Sequence, residues 1–306
     1  MTTDLLCRVP TGARVAIVRL RSLGDCVLTT PAVEVLASFR PDLRLAVVVE
    51  PRFAAIFEGN RSVHCVLAPR LAALRAWTPA LCLNFHGGTR SMALVAVSGA
   101  RFRAGFAHHK GAWIYNVRIP RAQEILGEER TVHTAEHLAS AMFWLGCPRR
   151  EIPRATLPIA PRAERGNYAV IHAAAAAAYK TWASDGFLTV ARHLQERWNL
   201  EPVFIGGAGD DFRAFSAYRV VAGAPLREVM SLIAGGKVFV GNDSGPAHIA
   251  AAAEVPLVVL YGRPEHSVIW APWKAARSRS LVSAGGIASI SPEEVLSAID
   301  ELLGGS

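Results

Sequence analysis

The chain has 306 residues, of which 51% are hydrophobic and 19% charged. This balance excludes a disordered chain and leaves room for two domains with cores of their own. The formal charge of +8 is uneven: residues 1–165 carry 22 Lys/Arg against 12 Asp/Glu, and residues 166–306 carry 11 against 13. The first half is therefore expected to meet an anionic partner, and nucleic acid, an anionic membrane surface and a phosphorylated substrate all qualify. No uncharged apolar run approaches the roughly 20 residues that span a bilayer. The first ten residues lack a signal-peptide layout. Five cysteines (Cys7, Cys26, Cys65, Cys82, Cys147) form no CxxC pair. They are expected to be reduced and mostly buried, in a cytoplasmic protein.

Residues 13–20 read as a strand and 21–25 as a loop, followed by a helix to about Phe39 with Pro31 near its start. A strand at 45–49, a short helix at 52–57, a strand at 63–67, a segment at 70–77 and a strand at 81–85 continue the alternation. Residues 91–98 are expected to be helical and lead to 101–106. Residues 134–145 form a helix with Leu138, Met142 and Leu145 on one face. Residues 148–165 break the pattern with Pro148, Pro153, Pro158 and Pro161, and an interdomain linker belongs there. The resulting division is a first domain at 1–155, a linker at 156–165 and a second domain at 166–306. The terminal helix at 292–303 is free in sequence to return to the first domain.

After the linker the alternation restarts. Residues 168–172 are a strand, and 185–198 an amphipathic helix with Ser184 as its expected N-cap. Residues 202–205 form a strand that runs into Gly206-Gly-Ala-Gly-Asp-Asp211. A helix at 225–234, a strand at 257–261 and a terminal helix capped by Ser291 complete the chain. Repeated strand–helix units imply two doubly wound α/β domains with parallel sheets, whose ligands sit at strand carboxyl ends.

The most informative stretch is residues 237–253. Val238, Phe239 and Val240 form a short buried strand, and Gly241-Asn-Asp-Ser-Gly-Pro246 stops it at once. Pro246 and the alanines beyond it start a helix. The free amides of that helix start carry roughly +0.5 charge and suit a phosphate. An N-capped helix with His248 packed in the core accounts for the same residues.

Three motifs carry a family resemblance. Arg19-Leu-Arg-Ser-Leu-Gly-Asp-Cys-Val-Leu-Thr-Thr-Pro-Ala32, Lys180-Thr-Trp182 and Gly241-Asn-Asp-Ser-Gly-Pro-Ala-His-Ile-Ala250 resemble, in order, the signatures of glycosyltransferase family 9, the lipopolysaccharide heptosyltransferases. Val255-Pro-Leu-Val-Val-Leu-Tyr-Gly262 continues the resemblance. It implies a GT-B fold of two Rossmann-like domains facing across a cleft. It also implies an inverting mechanism, no required metal or other cofactor, and an ADP-sugar donor, typically ADP-heptose.

By the same resemblance Asp25 is the general base, with Gly24 leaving space beside it; the simpler role for Asp25 is a helix cap. Lys180 matches the lysine that meets the donor diphosphate, although a solvated lysine is the commoner case. Asp243, Ser244, Gly245, Ala247 and His248 match the donor loop. Asp243 would repel a phosphate, so a sugar hydroxyl or a loop-holding role suits it better. Asp210 and Asp211 fall where the family meets the donor ribose. Arg21, Arg90 and His86, with Arg103 behind them, are candidates for the acceptor side. One departure is the alanine run at 173–178, where the family tends to carry a Pro-Gly-Ala-Ser type loop.

The implied partners are a nucleotide-sugar donor and an anionic glycolipid acceptor met at the inner face of the inner membrane, and not nucleic acid. Two other readings remain: a family 9 enzyme with another sugar or acceptor, and a non-catalytic nucleotide-sugar binder. A nicotinamide-dependent dehydrogenase does not fit, because Gly206-Gly-Ala-Gly209 lacks the spacing of a dinucleotide fingerprint.

Overall fold

The structure is a computed structural model that describes residues 3–159, 164–175 and 177–305. Residues 160–163 of the expected linker and Ala176 of the alanine run lie outside the described residues. The chain divides into two compact units, Met1–Pro158 and Ile159–Ser306.

The first unit has six strands: β1 (Arg14–Val18), β2 (Arg44–Val48), β3 (Cys65–Leu67), β4 (Leu81–Asn84), β5 (Phe102–Phe106) and β6 (Val117–Ile119). All pair in parallel, in the order β3-β2-β1-β4-β5-β6. The helices are α1 (Leu5–Arg8), α2 (Leu23–Phe39), α3 (Leu71–Trp77), α4 (Thr89–Ala96), α5 (Ala122–Leu126) and α6 (Thr134–Leu145). Right-handed crossovers put helices on opposite faces when the strand order runs in opposite directions. One apolar core accordingly holds Val33 and Leu36 of α2 with Leu138 and Met142 of α6. The other holds Leu74 of α3 with Leu94 and Val95 of α4, against Ala16 and Val18 of β1.

The second unit repeats the plan. Its strands are β7 (Tyr168–His172), β8 (Glu201–Gly206), β9 (Arg219–Ala222), β10 (Val238–Asn242), β11 (Leu257–Tyr261) and β12 (Ser278–Val282). They lie in parallel in the order β12-β11-β10-β7-β8-β9. The helices are α7 (Ser184–Trp198), α8 (Leu226–Gly235), α9 (Gly245–Ala252), α10 (His266–Ile269) and α11 (Pro292–Gly304). The central strands are apolar up to their last residues because helices cover both faces. Val238–Asn242 and Leu257–Tyr261 are buried at every residue.

In each sheet the strand order reverses once, between β1 and β4 and between β10 and β7. A doubly wound sheet opens a crevice at such a switch point, outside the strand carboxyl ends. The loops singled out in the sequence follow β1 and β10 at these two places.

Several local expectations are corrected. Asp25 lies inside the first turn of α2, not in a loop. The helix begins at Leu23 because the extended Ser22 is already its N-cap. Ser184 is the first residue of α7 and Ala183 holds the cap position. The chain from 148 onward stays with the first unit as far as Pro158. There the Thr156 amide donates to Thr30 Oγ1 at 3.0 Å, and Ala155 is buried. The terminal helix α11 packs on its own unit, with Val295, Ile299 and Leu302 in the second core beside Leu194 of α7. Apolar residues on one face of α11 find the matching stripe of α7 there. Of the cysteines, Cys26, Cys82 and Cys147 are buried, Cys65 is half-buried and Cys7 is exposed.

α11 starts with a capping box: Ser291 Oγ accepts from the Glu294 amide at 3.2 Å, and Glu294 Oε2 accepts from the Ser291 amide at 2.8 Å. Ser291→Ala is expected to cost about 1 kcal/mol. The check is a matching shift of the second unit's urea transition, with Ser291→Asp close to wild type.

Candidate active site

In the first unit the site forms where β1 and β4 end side by side. The register pairs Val18 with Asn84. Arg19 follows β1 and is buried, at 7% exposure. Its guanidinium Nη1 lies 3.6 Å from Asp25 Oδ2. The Ser22 hydroxyl donates to the same oxygen at 3.2 Å. Asp25 is thus held from two sides, and 29% of its side chain stays open to solvent. Gly24 beside it is buried.

Asn84 organises the opposite loop. It is fully buried, and its Oδ1 accepts from the amides of His86 and Gly87 at 3.0 and 3.1 Å. Its Nδ2 donates to Ser91 Oγ and to the Tyr115 hydroxyl. This fixes His86, whose Nδ1 donates to the Arg21 carbonyl at 3.1 Å. Gly87 has φ +75°, and a side chain there would run into the His109 ring. Arg21, Gly24, Asp25 and His86 are therefore brought together.

Arg90 stands apart, in the first turn of α4. It pairs with Glu50 at 3.4 Å beside an open groove of about 420 Å³ that Arg52 and Arg70 also line. Arg103 turns to the Ala100 and Ile114 carbonyls and reaches none of these groups.

The histidines around this strand end do not share in its charge. Burial and the nearby Arg19 cation lower the pKa of His86. Burial, then His108 and Arg19, push His109 down to about 4. Burial, then His108, His109 and Arg19, do the same to His137, which stacks on Phe106 at 4.0 Å. These imidazoles are neutral at pH 7, so Arg19 is the fixed cation facing Asp25. Sequence reasoning named Asp25 and passed over Arg19, because arginine is seldom buried. Its place at the end of an apolar strand, six residues before Asp25, was the available signal.

In the second unit the candidates gather where β7 and β10 end. Asn242, the last residue of β10, is fully buried. Its Nδ2 donates to the Ala173 carbonyl at 2.8 Å and its Oδ1 accepts from the Trp182 amide at 3.2 Å. The segment after β7 is thereby tied down on both sides of the turn that carries Lys180. Trp182 Nε1 donates to the Ile290 carbonyl at 2.9 Å, which anchors the turn from below. Gly262 provides room for the Tyr179 carbonyl, which a Cβ at that position would overlap.

Lys180 Nζ donates to Asp243 Oδ2 at 2.6 Å and lies 5.0 Å from the centre of the Trp270 ring. The side chains are 18% and 6% exposed, so this is a largely buried ion pair. Removing one partner of such a pair typically costs roughly 3–5 kcal/mol. Asp243 is therefore the group that holds Lys180. His266 Nδ1 lies 3.5 Å from the same carboxylate oxygen without a hydrogen bond to it. His266 and Trp270 were missed in the sequence because the loop after β11 carries no recognisable spacing. Their place at a strand carboxyl end was the only signal.

Ser244 Oγ lies 3.0 Å from His172 Nδ1, just ahead of α9. Gly245 opens that helix, and Ala247 and His248 are buried within it. Asp210 folds back on its own loop, accepting from the Gly207 amide at 2.7 Å, and its charge acts on His172. Asp211 points elsewhere, to Arg213 at 2.6 Å. Among the described residues, no three His, Cys, Asp or Glu side chains gather as they would to hold a metal ion.

The sequence profile described as Glycosyltransferase family 9 (heptosyltransferase) matches residues 72–287. The chain is 24% identical over 297 residues to lipopolysaccharide heptosyltransferase 3 of Escherichia coli (strain K12), with 83% of each protein covered. It superposes on a family 9 glycosyl transferase from Veillonella parvula with a TM-score of 0.82 at 20% identity, covering 100% of this chain and 99% of that one. It also superposes on the E. coli ADP-heptose lps heptosyltransferase II with a TM-score of 0.80 at 19% identity, covering 95% and 99%. The fold is thus the two-unit α/β GT-B fold of those enzymes.

His172 supplies a pH test. Burial pushes its pKa down to about 4, against an ordinary value of about 6.5 for histidine. Protonation then favours the unfolded chain. The contribution of the neutral ring is complete above about pH 6.5 and is lost as the pH falls toward 4. His172→Gln keeps a hydrogen-bonding group for Ser244 and cannot titrate. Melting temperatures of this variant are expected to fall less between pH 7 and pH 4.5 than those of wild type. Parallel curves would remove His172 from the acid sensitivity.

Proposed function

The chain belongs to glycosyltransferase family 9, and we propose that it transfers a heptose from ADP-heptose to a lipopolysaccharide core or a related anionic glycolipid, with inversion at the anomeric carbon. The observation that carries this reading is the held cation at the second switch point. Lys180 is fixed by Asp243 beside the start of α9. A pre-positioned cation and helix-start amides suit a diphosphate that gains negative charge as its bond to the sugar breaks. No metal ion is needed to supply that field in this reading. Asp210, whose charge acts on His172, is the better candidate for the ribose, and Asp211 is committed to Arg213.

On the acceptor side, Asp25 accepts the proton of the attacking hydroxyl while that oxygen bonds to the anomeric carbon and ADP departs. Arg19 and Ser22 hold the carboxylate in place for this step. Arg21 and His86 border the same strand end and would meet the acceptor's polar groups. The excess of positive charge in residues 1–165 suits an anionic acceptor on the first unit, and the Lys180 site suits the donor on the second. This work belongs to the cytoplasmic side of the inner membrane, where nucleotide sugars and a growing glycolipid meet. The alanine run at 173–178 favours a second reading, a nucleotide-sugar binder without transfer, because it offers no hydroxyl to the phosphates.

Asp25→Asn is expected to lower turnover roughly 10²–10⁴-fold while ADP binding stays near wild type. Steady-state rates and an ADP titration on the purified variant check this, and near-normal turnover would remove Asp25 as the base. A wild type that binds donor yet neither transfers nor hydrolyses it would favour the binder.

Lys180→Ala is expected to weaken ADP, seen as loss of the ADP-induced rise in melting temperature. That rise should persist in wild type with a chelator present. A rise abolished by the chelator would refute the metal-free donor site.

A further inference from the structure

From residue 59 to residue 123 the chain contains no Asp or Glu and carries nine Lys/Arg. This run builds β3 to β6 with α3 and α4 between them, so the acid-free chain folds into one side of the first unit. Both helices cover the same face of the sheet and share one core. Their outer surface is unusual for a soluble helix layer. Ala93, Ala96 and Val97 are exposed at α4 and its C-terminal end, and Val97 is 41% open to solvent. Ala72 and Ala76 are exposed on α3. Arg75 Nε donates to the Val97 carbonyl at 3.0 Å, which joins the two helices at this surface.

The segment 112–115 lies against α4, because Gly111 meets the Met92 thioether there. It projects Trp113, which is 79% exposed, the largest exposure among the large apolar side chains described. An aromatic side chain of this size normally buries its ring. The charged groups exposed around this apolar strip are Arg70, Arg75, Arg90 and Lys110. Among the described residues, Glu50 reaches them from outside the run, paired with Arg90.

We propose that the outer face of α3 and α4, with Trp113 as its anchor, docks the protein on an anionic lipid bilayer. An apolar helix face ringed by Arg and Lys is the pattern of elements that lie in a membrane interface. An exposed Trp suits the headgroup level, where its ring meets acyl chains and its N–H meets water. A polybasic surface alone would equally suit nucleic acid, but the small apolar side chains and the lone indole contribute nothing to a phosphate backbone. The bilayer is therefore the better fit.

The proposal rests on the glycolipid reading for its purpose and not for its test. α4 begins directly after His86-Gly87-Gly88, and His86 touches the Arg21 carbonyl beside Asp25. A glycolipid whose tail stays in the bilayer under α4 would present its headgroup along the Arg52, Arg70 and Arg90 groove, toward that strand end.

The test is co-sedimentation of the full chain with vesicles of phosphatidylethanolamine containing one-third phosphatidylglycerol, against vesicles of phosphatidylcholine alone. Binding is expected to the anionic vesicles only and to weaken as salt is raised. Each cation at the surface contributes roughly 5-fold to partitioning, so Arg75→Glu and Lys110→Glu should each lower it by at least that factor. Trp113→Ala should lower it at least as much and leave the salt dependence in place. Melting temperatures of Trp113→Ala and Lys110→Glu, and the ADP-induced shift of all three variants, should stay at wild-type values, which separates a lost surface from a lost fold; Arg75→Glu also loses its bond to the Val97 carbonyl and is read by the ADP-induced shift alone. Equal binding to both vesicle types, no binding, or variants that bind like wild type would overturn the proposal. So would an oligonucleotide that binds in preference to the anionic vesicles. A chain that binds vesicles but shows no transfer would leave this face standing and refute only the transfer reading.

Discussion

A buried asparagine at the end of a switch-point strand is the constraint on which both candidate sites depend. Asn84 and Asn242 each close a strand that is otherwise apolar, and neither side chain reaches water. A buried amide left without partners costs about 1–3 kcal/mol, so the surrounding loops have to supply donors and acceptors. Asn84 draws in the amides of His86 and Gly87. Asn242 draws in the Ala173 carbonyl and the Trp182 amide. In each case the chain that satisfies the amide also carries a candidate residue: His86 in one unit, Lys180 in the other. Desolvation of one polar group thus fixes the backbone from which chemistry-bearing side chains project.

The two sites divide the electrostatic work differently. Around Asp25 a single buried guanidinium faces a ring of histidines that its own field and burial keep neutral. Around Lys180 the charge is balanced within the site, because Asp243 neutralises the ammonium. A balanced pair of this kind is tolerable in a buried place where a lone lysine is not. It also keeps the lysine in one orientation, with the Trp270 ring as its floor.

Much of this was legible in the sequence, for a physical reason. Central strands such as 238–242 and 257–261 are buried on both faces, so they read as apolar runs that stop sharply. The edge strands β6, β9 and β12 were not recognised. Val117–Ile119, Arg219–Ala222 and Ser278–Val282 are short and half-exposed, and their pattern resembles that of loops. Asp25, Lys180 and Ser244 stood out because their motifs are local. The partners that give them geometry, Arg19, His172, His266 and Trp270, are defined by which strands end side by side, and no local spacing records that. Asp210 and Asp211 look alike in the sequence, and only the fold shows that they take different partners, the Gly207 amide and Arg213.

The hydrogen bond from the Trp182 indole to the Ile290 carbonyl joins the turn beside Lys180 to a residue more than a hundred positions later. The same region is closed by α11, whose Val295 and Ile299 share a core with Trp182. During synthesis on the ribosome, β7 and α7 emerge long before either of these supports exists. The turn bearing Lys180 therefore lacks this support until the chain has been translated past Ile290. A chain cut short of α11 would carry the Lys180 motif without the anchor and the core that hold its turn.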